Sequence, residues 1–302
     1  MSDTVRAVLL LECYVTVTLL APLLLGRLPL VAQRPVAMLA AWHGFLATAV
    51  LSLGAGLGLL IHQGMSLQAG TRPAAVADVP AEATLAAVPP AAAPLAAVPL
   101  AYVAAGVLGV LLFRIVEEGG RVVREARRRA GEVATLLLAS RPYRVAGRDA
   151  RLVESDVPLA ALSPATGVIL LTTEARARLD DDELAAVIEH ETAHQEQRHA
   201  LAVRLAQVSR AILPALPASQ RLALSTTIAI EFIADDHAAR VAGPATVASA
   251  LRKLDPGGGL SALRADRMDQ PRGGHPVALR LLCAVACALP ALPLVIVLLP
   301  PA

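Results

Sequence analysis

Three runs in the first 116 residues constrain this chain more than anything else. Val5 to Leu25, Val36 to Ile61 and Leu95 to Val116 are almost wholly apolar. Each is long enough to cross a bilayer core, which takes about 20 helical residues. With no water in that core to satisfy peptide groups, such runs must fold as helices or as a closed barrel, and their length and lack of alternation select helices. A fourth run, Leu281 to Leu299, follows near the end. Composition agrees: 56% of residues are hydrophobic, 17% are charged, and the mean hydropathy is +0.59, too apolar for an ordinary soluble domain. The first run lacks a basic leader and a small-residue cleavage site, so it reads as a retained span.

Arginine placement orients the spans. Arg27 and Arg34 follow the first, and Arg114, Arg121, Arg124 and Arg127 to Arg129 follow the third. Residues 64–94, rich in Ala and Pro and without periodicity, read as an exposed irregular loop carrying only Arg72 against Asp78 and Glu82. The positive-inside rule then sets residues 115–277 in the cytoplasm and both termini outside. The net charge of +2 is spread over span borders and helices, so no nucleic-acid partner is expected. Cys13, Cys283 and Cys287 all lie in apolar runs and read as buried thiols. Glu12 is an acid inside the first span, either functional or interfacial. His43 and His62 lie near the ends of the second.

The cytoplasmic region carries His190-Glu191-Thr192-Ala193-His194. On a helix, residues four apart share a face, so both imidazoles can reach one metal ion, and Glu191 is placed to deprotonate the water it activates. Asp180 and Glu183 have capping-box spacing, and Asp180 to Asp182 suit the positive end of the helix dipole. A catalytic zinc takes three protein ligands and leaves a position open. Glu231 and Asp235 share a face of a second helix, over residues 226–240, which Gly243-Pro244 ends. Glu231 is the third ligand expected, with Asp235 accepting the remaining ring N–H of a ligand histidine. His199 is expected to point away from His194 around a continuing helix, and Ala200 occupies the position a three-histidine site would need. There is no Gly-x-Ser-x-Gly to suggest a serine nucleophile.

Around the two helices, Tyr143 to Val145, Arg151 to Glu154 and Val168 to Thr173 read as short strands. Residues 201–213 are expected to form a core or membrane-surface helix. Residues 246–254 are expected to form another short helix, and 255–274 a mobile loop ending in His275-Pro276.

The two metal helices, with Arg198-His199 and Glu231-Phe232-Ile233-Ala234-Asp235, resemble the BlaR/MecR-type integral membrane metallopeptidases, relatives of the HtpX and CAAX-protease group. The resemblance implies a multi-span α-helical membrane protein with a cytoplasmic α+β gluzincin (zincin) domain. Residues 1–116 would hold three spans, 117–277 the peptidase and 278–302 a last span. It also implies one zinc ion, a substrate held along a sheet edge within residues 159–171, and an oxyanion-steadying role for His275. The implied activity is endoproteolysis of a cytosolic protein, with winged-helix repressors of the BlaI/MecI kind as candidates. The implied setting is the cytoplasmic membrane. The β-lactam-sensing members carry an extracellular sensor domain that this sequence is expected to lack. Two alternatives stay open: an HtpX-like quality-control peptidase, and a non-catalytic membrane receptor.

Overall fold

The computed structural model describes residues 2–26, 33–70, 97–145, 147–162, 167–212, 216–270 and 276–299. Among the described residues, three helices are long and apolar enough to cross a membrane: α1 (Asp3–Leu25), α2 (Pro35–Gly70) and α3 (Ala97–Ala139). The described chain forms two compact units. The first comprises residues 1–21, 43–116 and 285–302, the second residues 22–42 and 117–284.

In the first unit the helices meet through small residues, which let backbones approach where lipid offers no hydrophobic drive. Ala7, Leu57, Leu60 and Ala104 form its core. A methyl group on Gly64 would lie 2.2 Å from Ala101 Cβ, so this crossing needs glycine. Gln63 Nε2 donates to Thr4 Oγ1 at 2.7 Å. Leu19, Val50, Val103, Val110 and Val116 face outward, as a surface in contact with lipid would require.

Three expectations change here. Helix α3 does not stop at Val116, where its apolar run ends, but continues through the basic stretch to Ala139. Residues 64–70, assigned to the irregular loop, continue α2, and the rest of that loop lies outside the described residues. The single closing span is two helices, α10 (Pro276–Ala288) and α11 (Ala291–Leu298), separated by a turn at Leu289-Pro290. Pro290 has no N–H to continue the ladder, which accounts for the break.

The second unit holds a four-stranded sheet: β1 (Arg141–Val145), β2 (Arg148–Val153), β3 (Ala160–Leu162) and β4 (Ile169–Thr172), in the order β1-β2-β4-β3. The β2–β4 pair is parallel and the other two pairs are antiparallel, which leaves β3 as an edge. Arg151 on β2 caps the end of α3, donating through Nη2 to the carbonyls of Leu137 and Ser140, both at 2.9 Å. After β4 come α4 (Thr173–Arg178), α5 (Asp181–Glu196), α6 (His199–Ile212), α7 (Pro217–Ala242), α8 (Pro244–Leu254) and α9 (Gly259–Asp269). Leu184 and Ile188 on α5 pack on Leu152, Ile169 and Leu171 of the sheet. Its other side, at Ala186, meets Ala238 of α7, Val247 and Leu251 of α8 and Met268 of α9. Thus α5 runs between sheet and helices with two flanks buried. Gly243, at φ +88°, makes the turn from α7 into α8.

Candidate active site

The start of α5 is fixed as its sequence suggests. Asp180 Oδ1 accepts the Glu183 N–H at 2.8 Å, and Glu183 Oε2 accepts the Asp180 N–H at 2.9 Å. Glu183 has two further partners, on α8: Ser249 Oγ and Lys253 Nζ, each at 2.6 Å. Burial alone would raise the Glu183 pKa, but Lys253, Ser249 and the Asp180 N–H outweigh it and lower it. The cap therefore also locks α5 against α8.

Two turns further on, α5 presents His190 and His194 to Glu231 on α7. One ligand atom from each lies within 4.8 Å of the others. His190 Nε2 is 3.0 Å from His194 Nε2 and 3.4 Å from Glu231 Oε2, and His194 Nε2 is 3.7 Å from Glu231 Oε1. Ligand atoms arranged tetrahedrally around zinc at 2.0–2.1 Å are about 3.3 Å apart, so these separations bracket the spacing a zinc ion needs. Chemistry agrees with geometry. His190 Nδ1 lies 3.0 Å from Asp235 Oδ1, so its N–H goes to the carboxylate and its Nε2 lone pair faces the other two ligand atoms. Three acceptors turned on one point call for a cation, and these residues fit a zinc ion.

Without a metal, a proton on His190 meets the same demand. Burial would depress the His190 pKa, yet Asp235 and Glu231 push it up to about 9. Burial and the neighbouring His190 push His194 down to about 4, so its ring stays neutral. Asp235, wholly buried, is held near 2 despite burial, by Arg264 and His190. Glu231 is likewise lowered against burial, by His190 and Arg264.

Arg264 joins the site without having been expected there. Residues 255–274 were expected to be a mobile loop, but 259–269 form α9. From it Arg264 reaches Asp235 through Nε and Nη2, and Glu231 through Nη1 at 2.9 Å. Arg267, one turn on, donates to Asp236 at 2.8 Å and lies over the Phe232 ring. Helical spacing was available as a signal, since Ala265 and Met268, three apart, are both buried. The preceding Asp255-Pro256-Gly257-Gly258-Gly259 punctuation masked it.

His199 also departs from expectation. Helix α5 ends at Glu196, and Arg198 takes a left-handed φ of 52° before α6 begins. The reversal brings the buried His199 ring back, its Nδ1 2.9 Å from His194 Nδ1. It lies behind the ligand and not among the three that converge.

The metal donors open onto a cavity of about 340 Å³ that Glu191 also lines. Ala186, Val187, Val247, Ala250 and Leu251 make its apolar wall, and Ala160 on the edge strand β3 forms part of its rim. The sheet edge expected within residues 159–171 is thus beside the candidate centre. His275 lies outside the described residues.

A helix presenting two imidazoles, a second helix supplying a carboxylate, and an acid in the same cleft are a donor set that could hold a metal ion, as a metallopeptidase requires. The comparison with protein families points the same way. Residues 153–219 match the model of peptidase family M48, a stretch that holds β3, β4, the whole of α5 and all of α6. The match supports a zinc metallopeptidase and stops before Glu231. No curated protein and no solved structure matched the chain.

Proposed function

We propose that the chain is a membrane-anchored zinc endopeptidase that cuts proteins on the cytoplasmic side. The convergence of His190, His194 and Glu231 in a cleft shared with Glu191 carries this reading. Zinc held by those three residues would supply Lewis acidity, activating a water and polarising the scissile carbonyl. Glu191 takes a proton from the attacking water at its carboxylate and delivers it to the departing amine. Asp235 holds His190 in the tautomer that offers Nε2. The edge of β3 away from β4 pairs with an extended substrate backbone, and the apolar wall takes one of its side chains.

The substrate class proposed first is a winged-helix repressor, from the resemblance of the two metal helices to BlaR/MecR-type peptidases. One cut between DNA-binding and dimer regions would release an operator, because such repressors bind through doubled contacts. Quality control of membrane proteins is the second reading. It is favoured by the cleft itself, in which backbone pairing and small apolar residues would accept many unfolded sequences. The test is to express the chain with its own genome's winged-helix repressors and follow them by immunoblot. Loss with wild type but not with Glu191→Gln is expected. Intact repressors, alongside degraded misfolded membrane proteins, would transfer the reading to quality control.

A further inference from the structure

Each ligand histidine needs something to hold its second ring nitrogen. For His190 that partner is Asp235, and the sequence pattern foresees it. Among the described residues, the partner in the corresponding place at His194 is an imidazole and not a carboxylate. Its Nδ1 is 2.9 Å from His199 Nδ1, and His199 Nε2 is 3.3 Å from Gln197 Oε1.

Only one arrangement of protons makes this chain of contacts consistent with ligation. The Gln197 amide oxygen can only accept, so His199 carries its proton on Nε2 and donates it there. His199 Nδ1 is then a lone pair, and His194 Nδ1–H donates to it. That leaves the His194 Nε2 lone pair on the side where His190 Nε2 and Glu231 converge. Gln197 at the end of α5 thus sets, through one imidazole, which nitrogen of the next is free to bind metal.

The backbone is shaped to make this contact. Had α5 continued, His199 would sit five residues beyond His194, well round the helix from it. Instead Arg198 adopts the left-handed conformation, at φ 52°, which residues with a Cβ rarely take. The turn returns His199 to His194, in a buried position.

We propose that His199 is a positioning residue for the metal centre, fixing the His194 tautomer with Gln197 as its anchor. The inference rests on the zinc-site reading above. It predicts that the acceptor at position 199 matters, and not the volume there. Two variants of the full-length protein separate the cases. His199→Phe keeps a ring and removes the acceptor, and His199→Asn restores a side-chain oxygen able to accept.

Zinc affinity, measured by competition with a chromophoric chelator, should fall ~10–100-fold for the Phe variant, the usual cost of losing such a partner. It should recover substantially for the Asn variant. In wild type labelled with 15N-histidine, a scalar coupling across the His194–His199 N–H···N bond should be present, which keeps the test open if His199→Phe does not fold. Equal zinc affinity in wild type and His199→Phe, equal losses in both variants, or a missing coupling would overturn the proposal. Failure of wild type to bind zinc would instead remove the metal-site reading on which it rests.

Discussion

Arg264 on α9 grips Asp235 on α7 with two hydrogen bonds, Nη2 to Oδ1 at 2.7 Å and Nε to Oδ2 at 2.9 Å. Asp235 is completely buried and also partners His190, so one carboxylate joins three helices at the candidate metal centre. The fork geometry matters, because a guanidinium meets both oxygens at once and an ammonium cannot. Removing the partner of a buried charge costs about 3–5 kcal/mol. Arg264→Met should therefore lower the unfolding temperature clearly, and Arg264→Lys should restore only part of the loss. Thermal unfolding in detergent checks this, and an unchanged Arg264→Met midpoint would contradict it.

Metal loading should depend on pH through His190. Its pKa in the metal-free fold is about 9, against an ordinary value of 6.5. At neutral pH the ring is protonated, whereas a ligand must be neutral, so zinc binding displaces a proton. Apparent zinc affinity should rise about tenfold per pH unit from neutrality and level off near pH 9. For the metal-free protein the sign is opposite. The charged ring contributes stability that is complete below pH 6.5 and lost as pH rises through about 9. Calorimetry in buffers of different ionisation enthalpy measures the proton released on zinc addition, and no release at pH 7.5 would contradict this account.

Lys253, the only lysine in the chain, tests the tie between α5 and α8. Its ammonium meets the Glu183 side chain, which is buried at the α5 cap. Losing a hydrogen bond to a charged group costs about 1.5–3 kcal/mol. Lys253→Met should destabilise the domain by an amount in that range, while the zinc ligands stay in place. A matched pair of unfolding and zinc-titration curves decides it. Loss of zinc without loss of stability would show that the tie serves the site directly.

The parts of this site legible in sequence are those in which spacing alone determines geometry. His190 with His194, Glu231 with Asp235, and Asp180 with Glu183 each lie on one helix or at its cap, where three- and four-residue intervals fix the shared face. The parts that were not legible depend on the path of the chain between helices. No glycine marks the left-handed turn at Arg198, so nothing in the sequence shows His199 folding back. Arg264 lies behind a glycine-rich stretch, and its importance comes from partners that α7 brings to it from 29 residues away. The membrane helices show the same division. Their apolar runs locate all three helices but not their ends: α2 overruns to Gly70, α3 runs on from the apolar Val116 through the basic stretch to Ala139, and the break at Leu289-Pro290 comes from one proline.

The central claim is that His190, His194 and Glu231 hold one zinc ion, and zinc-edge X-ray absorption on the purified full chain tests it most directly. One zinc per chain is expected, with two imidazole nitrogens and a carboxylate oxygen at about 2.0–2.2 Å. Glu231→Ala should lose the ion, and Glu191→Gln should keep the same shell. A sulfur shell, or a Glu231→Ala protein that keeps its zinc while Glu196→Ala loses it, would contradict the assignment.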